Sequence, residues 1–364
     1  MMKNDKKNIS ALKVNKGIEQ PPSVNPNSVI SLKKRKKKRF TTDELYNGIL
    51  KGDNTILGQA ITIIESQLPE HQTIARELIA KCLPHSGKSK RIGITGIPGA
   101  GKSCFIEAIG KKITGMGHKL AVLAIDPSSA HSKGSILGDK TRMEKLSVDP
   151  LAFIRPSPSS GTLGGVASKT KETLLLCEAA GFNIIFIETI GVGQSETIVR
   201  SMVDFFLLLM IAGAGDELQG IKRGIMELAD TVAITKADGS NILMAENAKI
   251  DYQKALHLFP SSESGWIPKV VTCSALKQTG LEELWKIIME YFQFSYDNKY
   301  FETQRKDQAR QWMVSTINDK LHQSFYNSKK VKKNIMVMEK KVMGGQISPY
   351  SAAEELLDEY FKNR

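Results

Sequence analysis

Residues 96–103 read Gly96-Ile97-Pro98-Gly99-Ala100-Gly101-Lys102-Ser103 and match the pattern G-x-x-x-x-G-K-[ST]. An apolar run precedes this stretch, and Phe105, Ile106 and Ile109 follow it at helical spacing. In such a strand–loop–helix unit, successive backbone N–H groups wrap phosphate groups, and the helix N-terminus adds partial positive charge. The stretch therefore predicts a phosphate-binding loop, in which Lys102 reaches the β- and γ-phosphates and the Ser103 hydroxyl binds Mg²⁺. Cys104, the next residue, is also predicted to belong to the nucleotide-binding residues. Its side chain is expected to face the helix interior rather than to act as a nucleophile.

Short apolar runs and helical periodicities alternate on both sides of this loop. The candidate strands are residues 91–95, 120–126, 151–155, 183–188, 205–212, 231–236 and 269–273. Strands that alternate with helices need crossover connections, so the pattern predicts an α/β fold with a mostly parallel central sheet and helices on both faces. The most apolar run, residues 205–212, is too short to span a membrane and fits a buried strand.

Two segments further along the chain point to guanine. Thr235-Lys236-Ala237-Asp238 ends a candidate strand and resembles N-K-x-D, with Thr in place of Asn. The Asp238 carboxylate would accept hydrogen bonds from guanine N1 and the exocyclic amine, and Lys236 would pack over the base and the loop. Ser274-Ala275-Leu276 follows the next strand and resembles the S-A-L loop that contacts guanine O6 through backbone N–H groups. Together with the phosphate loop, they predict GTP rather than ATP.

A third segment is expected on the γ-phosphate side. Glu188-Thr189-Ile190-Gly191 follows a buried strand and occupies the D-x-x-G position, with Glu replacing Asp. The Glu188 carboxylate can hold Mg²⁺, through water, and the N–H of Gly191 can contact the γ-phosphate. An ordinary strand-to-helix turn is the alternative interpretation.

Charged residues in two further loops are candidates for the same site. Asp126 and Asp139 are candidate Mg²⁺-side carboxylates, with a helix N-cap or a turn as the alternative role for each. In the glycine-rich connection 212–223, Lys222 or Arg223 could stabilise transition-state charge, although such residues are more often solvated. Lys102, Glu188 and Lys222 are therefore the candidate catalytic residues.

The positive charge of the chain is concentrated in its first 40 residues. Those residues carry twelve Lys or Arg and two acids, so they contribute +10 of the net +13, and residues 41–364 carry about +3. We expect this tail to be disordered and its basic run 33–39 to be solvated, with binding to RNA, DNA or anionic lipid as the less favoured alternative. Four well-separated cysteines exclude a disulfide framework and a zinc site, which favours a reducing compartment, the cytoplasm.

The chain divides into four predicted parts. These are a basic tail at 1–40, a helical segment at 41–88 with two helices that meet at Pro69, a nucleotide-binding domain at 89–295 and a helical region at 296–364. In the last part, Ala309, Met313, Ile317, Leu321 and Phe325 form an apolar stripe. A doubly wound domain leaves little surface to cover this stripe, so we expect a two-fold homodimer.

The motifs together resemble one family, the MeaB, ArgK and MMAA GTPases. The resemblance is carried by the strings GIPGAGKS, DPSSAHSKGSILGDKTRM, RPSPSSGTLGG, ETIGVGQSE, GAGDELQGIKRGIMELAD, TKAD, SAL and GGQISPYSAAEELL, and it covers residues 45–360. It implies a P-loop GTPase that binds GTP, GDP and Mg²⁺ and forms homodimers through C-terminal helical arms. It also implies a chaperone that gates cobalamin loading and protects a cobalamin-dependent acyl-CoA mutase, methylmalonyl-CoA mutase.

Three other functions remain open at this point. The first is a phosphotransferase acting on a protein, which would transfer phosphate rather than release it to water. The second is a nickel-insertion GTPase, which would need a His- or Cys-rich tract that the sequence lacks. The third is a nucleic-acid-binding switch that uses the basic run 33–39.

Overall fold

Seven parallel strands form the central sheet of this computed structural model, in the order β3-β2-β4-β1-β5-β6-β7. The structure describes residues 40–125, 143–156, 163–189, 195–213 and 223–362. The strands are β1 Lys90–Gly96, β2 Leu120–Ile125, β3 Ala152–Pro156, β4 Ile184–Thr189, β5 Phe205–Ile211, β6 Thr231–Thr235 and β7 Lys269–Thr272. Each begins and ends within about one residue of its predicted bounds, because continuous apolar runs mark strands that are buried on both faces.

The predicted α/β fold is confirmed, and each pairing between neighbouring strands is parallel. The helices are α1 Thr42–Leu50, α2 Asn54–Glu65, α3 Pro69–Cys82, α4 Lys102–Gly115, α5 Glu144–Ser147, α6 Leu163–Ala179, α7 Ser195–Arg200, α8 Arg223–Leu228, α9 Ile242–Leu256, α10 Leu281–Asp297, α11 Tyr300–Asn327, α12 Lys329–Met343 and α13 Pro349–Lys362. They cover both faces of the sheet. Ile92 and Ile94 of β1 share a core with Phe105 of α4, whereas a Cβ at Gly93 would lie 2.9 Å from Val199 of α7.

The N-terminal helical segment contains three helices where the apolar pattern predicts two. Gly52 adopts φ 72° and ends α1, and the Asp53 carboxylate then caps α2 by accepting hydrogen bonds from the N–H groups of Thr55 and Ile56. Glycine tolerates the left-handed conformation that such a reversal requires. The three helices pack on one another and on α6.

Buried charged groups attach the long helix α11 to the sheet. Arg305 donates to both carboxylate oxygens of Asp204, at 2.6 and 2.8 Å, and to the carbonyl oxygen of Ser89 at 2.8 Å. Its guanidinium also lies 3.5 Å from Glu178, which accepts a hydrogen bond from Arg91 at 2.9 Å. Burial alone would raise the pKa of Glu178, but the two guanidinium groups hold that pKa below its usual value. This cluster lies where β1 and β5 begin, at the edge of the sheet opposite the phosphate loop.

We expect Arg305→Met to destabilise the full-length chain by about 3–5 kcal/mol, because Asp204 would be left buried without its main partner. The free energy of unfolding in urea measures this effect. Arg310→Met is the matched control, since Arg310 is 73% exposed and its only described ion pair, with Asp307, spans 3.8 Å; we expect it to cost less than about 1 kcal/mol. The ion pairs of Glu178 with Arg91 and Arg305 also contribute to the free energy of unfolding. This contribution is present at neutral pH and is lost as the pH falls through the depressed pKa of Glu178. Equal stability of the two variants would contradict this account.

The C-terminal helices leave much apolar surface uncovered. Within the predicted stripe, Met313, Ile317 and Leu321 are 59%, 49% and 47% exposed. The ends of α11, α12 and α13 enclose an apolar groove of about 460 Å³ that includes Leu321, Phe325 and Tyr360. A surface of this kind is typical of an interface.

Contacts join Thr42–Arg364 into one compact unit. The predicted boundaries at 88/89 and 295/296 therefore stay predictions, and the basic tail lies outside the described residues apart from Phe40. In the described part of the chain, no helix is both long enough and apolar enough to cross a membrane.

Candidate nucleotide-binding site

The segments singled out by the sequence follow the carboxyl ends of four parallel strands. The loop 96–103 follows β1, Glu188 lies at the end of β4, residues 235–238 follow β6 and residues 274–276 follow β7. In the sheet, β2 lies on one side of β1 and β5 lies on the other side. The connections to these strands therefore run in opposite directions, and a crevice opens between them beside the carboxyl end of β1. The fold thus brings these segments to the same edge of the sheet.

Glycines allow the phosphate loop its tight path. A Cβ at Gly96 would lie 2.4 Å from the carbonyl oxygen of Leu209, so a side chain cannot fit there. Gly99 and Gly101 adopt φ values of 80° and 79°, in the left-handed region that favours glycine. Gly101 is also the N-cap of α4, so the loop runs directly into the N-terminus of a 14-residue helix. Such a terminus favours an anion.

The remaining loop residues divide into anchors and an exposed tip. Ile97 and Ala100 are 3% and 1% exposed and belong to the main core, whereas Pro98 is exposed. Lys102 folds back over the loop, where its ammonium donates to the carbonyl oxygens of Gly96 at 2.9 Å and Ile97 at 3.4 Å. The ammonium group is therefore held beside the loop N–H groups, in a position to offset phosphate charge.

Two side-chain oxygen groups meet beside the start of α4. The hydroxyl of Ser103, at the start of α4, donates to the carboxylate of Glu188 at 3.5 Å, and Glu188 is only 3% exposed. A hydroxyl and a carboxylate are hard oxygen ligands of the kind that Mg²⁺ prefers. The donor set therefore fits the ion. Four other predicted site residues, Asp126, Asp139, Gly191 and Lys222, lie outside the described residues.

Asp238, the residue predicted to select guanine, is held by the neighbouring loop. The carboxylate of Asp238 accepts a hydrogen bond from the hydroxyl of Ser274, which is fully buried. That hydroxyl in turn accepts from the N–H of Lys277 at 3.0 Å. Beside Ser274, Ala275 is half-buried and Leu276 is 80% exposed. The two sequence motifs are thus joined, because the serine of one orients the carboxylate of the other.

Lys236 and Thr235 connect the segment 235–238 to the phosphate loop. Lys236 adopts φ 57°, and a Cβ at Gly101 would lie 3.9 Å from its Cε atom, so its stem passes beside the loop. The Thr235 hydroxyl donates to the carbonyl oxygens of Ala100 at 2.8 Å and Met210 at 3.0 Å. A hydroxyl has one proton, so these two acceptors share it, whereas the amide of an Asn has two N–H donors. Thr235 therefore tethers the loop with one donor fewer than Asn would have.

Cys104 differs from its expected orientation. Its side chain is exposed, whereas the next two residues of α4, Phe105 and Ile106, are buried. Adjacent helical residues point about 100° apart, so a buried face that starts at Phe105 leaves Cys104 on the outside. The interior orientation predicted from the sequence is wrong.

Two threonines behind the site were not predicted from the sequence to have a role. Thr95 precedes the phosphate loop, Thr189 follows Glu188, and their hydroxyls lie 2.8 Å apart in a fully buried position. A signal was present, because a threonine stands next to a motif residue near the end of each of these two mostly apolar strands.

The chain matches the model of a known family over residues 57–330. The description of that family is methylmalonyl Co-A mutase-associated GTPase MeaB. This chain belongs to the MeaB family. It is therefore a GTPase, and membership implies that the site binds a guanine nucleotide.

Individual relatives agree with this assignment. GTPase ArgK of Escherichia coli is 45% identical over 273 residues, which cover 75% of this chain and 82% of ArgK. A mouse protein, the mitochondrial methylmalonic aciduria type A homolog of Mus musculus, is 45% identical over 339 residues, covering 90% of this chain and 81% of the mouse protein. The crystal structure of a LAO/AO transport system kinase superimposes with a TM-score of 0.70 at 34% identity, covering 88% of this chain and 98% of that one.

The geometry of this MeaB-family site indicates how its residues can promote hydrolysis. Lys102 and the loop N–H groups can neutralise the β- and γ-phosphates, since catalysis of phosphoryl transfer is mostly positioning and electrostatic stabilisation. Ser103 and Glu188 would hold a cation there, which would supply positive charge to offset that of the phosphates. A residue that would activate the attacking water is not among those described at the site.

Proposed function

We propose that this MeaB-family GTPase is a chaperone for a cobalamin-dependent acyl-CoA mutase, methylmalonyl-CoA mutase. In this proposal, GTP binding and hydrolysis gate loading of the cobalamin cofactor and protect the mutase. The observation that carries the proposal is the family match over residues 57–330, since the family is described as mutase-associated. The mouse relative, named for methylmalonic aciduria, supports it further. The well-separated cysteines favour the cytoplasm as the compartment.

The same proposal assigns roles within the site. Ser103 and Glu188 hold Mg²⁺, with Asp126 and Asp139 as additional candidates, while Lys102 and residues 96–104 bind the phosphates together with Gly191. Asp238, with Lys236, Thr235 and the loop 274–276, selects guanine. Lys222 stabilises transition-state charge. The hard oxygen donors on one side of the loop and the serine-held carboxylate on the other support this division.

Nucleotide state must affect mutase binding if the proposal is right. We expect calorimetry to give different affinities for the mutase when the GTPase carries GDP and when it carries a non-hydrolysable GTP analogue. By linkage, the mutase then changes the ratio of the affinities for the two nucleotides by the same factor, typically about 5–150-fold. Absence of binding in both states would contradict the chaperone role and leave the GTPase assignment standing.

A protein phosphotransferase is the competing function, and one measurement separates the two. Incubation with γ-labelled GTP and the mutase should release label as inorganic phosphate. Transfer of label to the mutase or to the GTPase itself would favour the phosphotransferase.

We further propose that the chain is a homodimer joined through α11, α12 and α13. The exposed stripe on α11 and the apolar groove next to it support this, because monomers seldom expose a patch of this kind. A two-fold pair is the commonest way to cover such a surface.

Ile317→Asp combined with Leu321→Asp should convert the dimer into a monomer that still binds GDP. Both side chains are about half exposed, at 49% and 47%, so the substitutions put charge into the interface without opening the core. Light scattering at micromolar concentration should show half the mass of the wild type. Ile250→Asp is the control, because Ile250 is 48% exposed on α9, away from these helices. A monomeric wild type would contradict the proposal. Removing everything after residue 300 is a poorer test, since it also deletes Arg305.

A further inference from the structure

Two buried hydroxyls connect the strand before the phosphate loop to the strand that carries Glu188. The Oγ1 atoms of Thr95 and Thr189 lie 2.8 Å apart. The two residues are 1% and 0% exposed. Their neighbours on the strands are apolar apart from the residues of the motifs themselves. The pair is therefore a buried polar contact between two mostly apolar strands.

Such a contact needs a reason, because valine has the same shape and would avoid the cost of burying a hydroxyl. A buried hydroxyl without a partner costs about 1–3 kcal/mol. Here the two hydroxyls share one hydrogen bond, in which one donates and the other accepts, so each has a partner. Removing one of them would leave the other unsatisfied.

The position of the pair shows what it can do. The parallel ladder between β1 and β4 ends at Ile94 and Glu188. Beyond that point the chain becomes the phosphate loop on one strand and the segment 190–194 on the other. The hydroxyl contact joins the two strands one residue past the end of their ladder, where the crevice opens.

The side chains of the pair do not point into the nucleotide site. Because successive side chains on a strand alternate between faces, Thr189 lies on the face opposite Glu188, and Thr95 lies on the face opposite Ile94. The carboxylate of Glu188 meets Ser103 of α4 at 3.5 Å on its own face. The threonine pair can therefore affect the site only indirectly, through the backbone that carries Glu188 and the phosphate loop.

We propose that Thr95 and Thr189 are positioning residues that set the distance between Ser103 and Glu188, and so determine how strongly Mg²⁺ tightens nucleotide binding. This inference rests on the proposed Mg²⁺ role of Ser103 and Glu188. Loss of the hydroxyl contact lets β1 and β4 separate at the crevice, which weakens cation binding while the phosphate loop itself stays intact. Residues that orient metal ligands typically affect metal affinity by about 10–100-fold.

The test measures GDP affinity by calorimetry on the full-length chain, in excess Mg²⁺ and in EDTA. The dissociation constant in EDTA divided by the dissociation constant in Mg²⁺ gives a ratio that measures the coupling between cation and nucleotide. Thr189→Val and Thr95→Val should each lower this ratio at least about tenfold and leave the affinity in EDTA unchanged. Thr189→Ser, which keeps the hydroxyl, should restore the wild-type ratio.

Two control variants make the result specific. Thr231→Val removes another fully buried strand hydroxyl, at the opposite edge of the sheet, which donates to the carbonyl oxygen of Asp230 at 2.7 Å; it should leave the ratio unchanged. Ser103→Ala should abolish the coupling if Ser103 binds Mg²⁺.

The outcomes separate this inference from the site assignment. A wild-type ratio in Thr189→Val, with the coupling lost in Ser103→Ala, would overturn the positioning role alone. Equal loss of affinity with and without Mg²⁺ in the threonine variants would show a merely structural role and would also overturn it. An unchanged ratio in Ser103→Ala would instead overturn the Mg²⁺ assignment on which the inference rests. If a valine variant fails to fold, Thr95→Ala removes a hydroxyl of the pair instead, and Thr189→Ser is again the variant that keeps it.

Discussion

Asp238→Asn should shift the preference of the site from guanosine to xanthosine nucleotides by up to about 10⁴-fold, the discrimination that a hydrogen-bonding pocket can reach. Guanine offers two donors, N1–H and the exocyclic amine, to a carboxylate. Xanthine has a carbonyl oxygen where guanine has the amine, and an asparagine amide can donate to it. The fold should tolerate the change, because an Asn side-chain oxygen can still accept the hydrogen bond from Ser274.

Displacement of a bound fluorescent nucleotide by GDP, XDP or ADP measures this preference. Asp251→Asn, an exposed position on α9, is the matched control and should behave as wild type. Equal binding of ATP and GTP by the wild type would show that residues 235–238 do not select the base.

Lys102→Ala should reduce GTP turnover by about 10²–10³-fold, the usual cost of removing one donor that stabilises transition-state charge. The ammonium lies beside the loop, bonded to the carbonyl oxygens of Gly96 and Ile97, and it would be lost without opening the core. We therefore expect the variant to be folded, with an unchanged thermal midpoint.

Steady-state phosphate release by purified protein measures the effect. Lys254→Ala, at an exposed position of α9, is the control. Full activity of Lys102→Ala would show that the loop 96–103 is not part of the catalytic site.

The sequence was most informative where chemistry or burial is local. The apolar runs that became β2, β4 and β5 are buried at almost every position, so their composition alone marked them as strands. Likewise, a loop of fixed glycine spacing between a strand and a helix has few other interpretations. Local patterns therefore located the sheet and the phosphate-binding loop.

Features that depend on distant contacts could not be read from local patterns. Arg305 is 101 positions from Asp204, and nothing in either neighbourhood indicates the other. The same is true of Thr95 and Thr189, which meet only because β4 lies beside β1. The break between α1 and α2 was missed because Gly52 and Asp53 interrupt an otherwise helical periodicity by a turn of a few residues.

The most direct test of the proposed role is phosphate release from GTP with and without the cognate acyl-CoA mutase. Alone, the protein should turn over slowly, on the order of 10⁻⁴ s⁻¹ as in GTPases that lack a partner-supplied group. Addition of the mutase should raise the rate, with about 10³–10⁵-fold as the upper range known for a partner that completes such a site. The acceleration should saturate with mutase concentration and disappear in Lys102→Ala. An unchanged rate at saturating mutase, together with no detectable complex in either nucleotide state, would contradict the account.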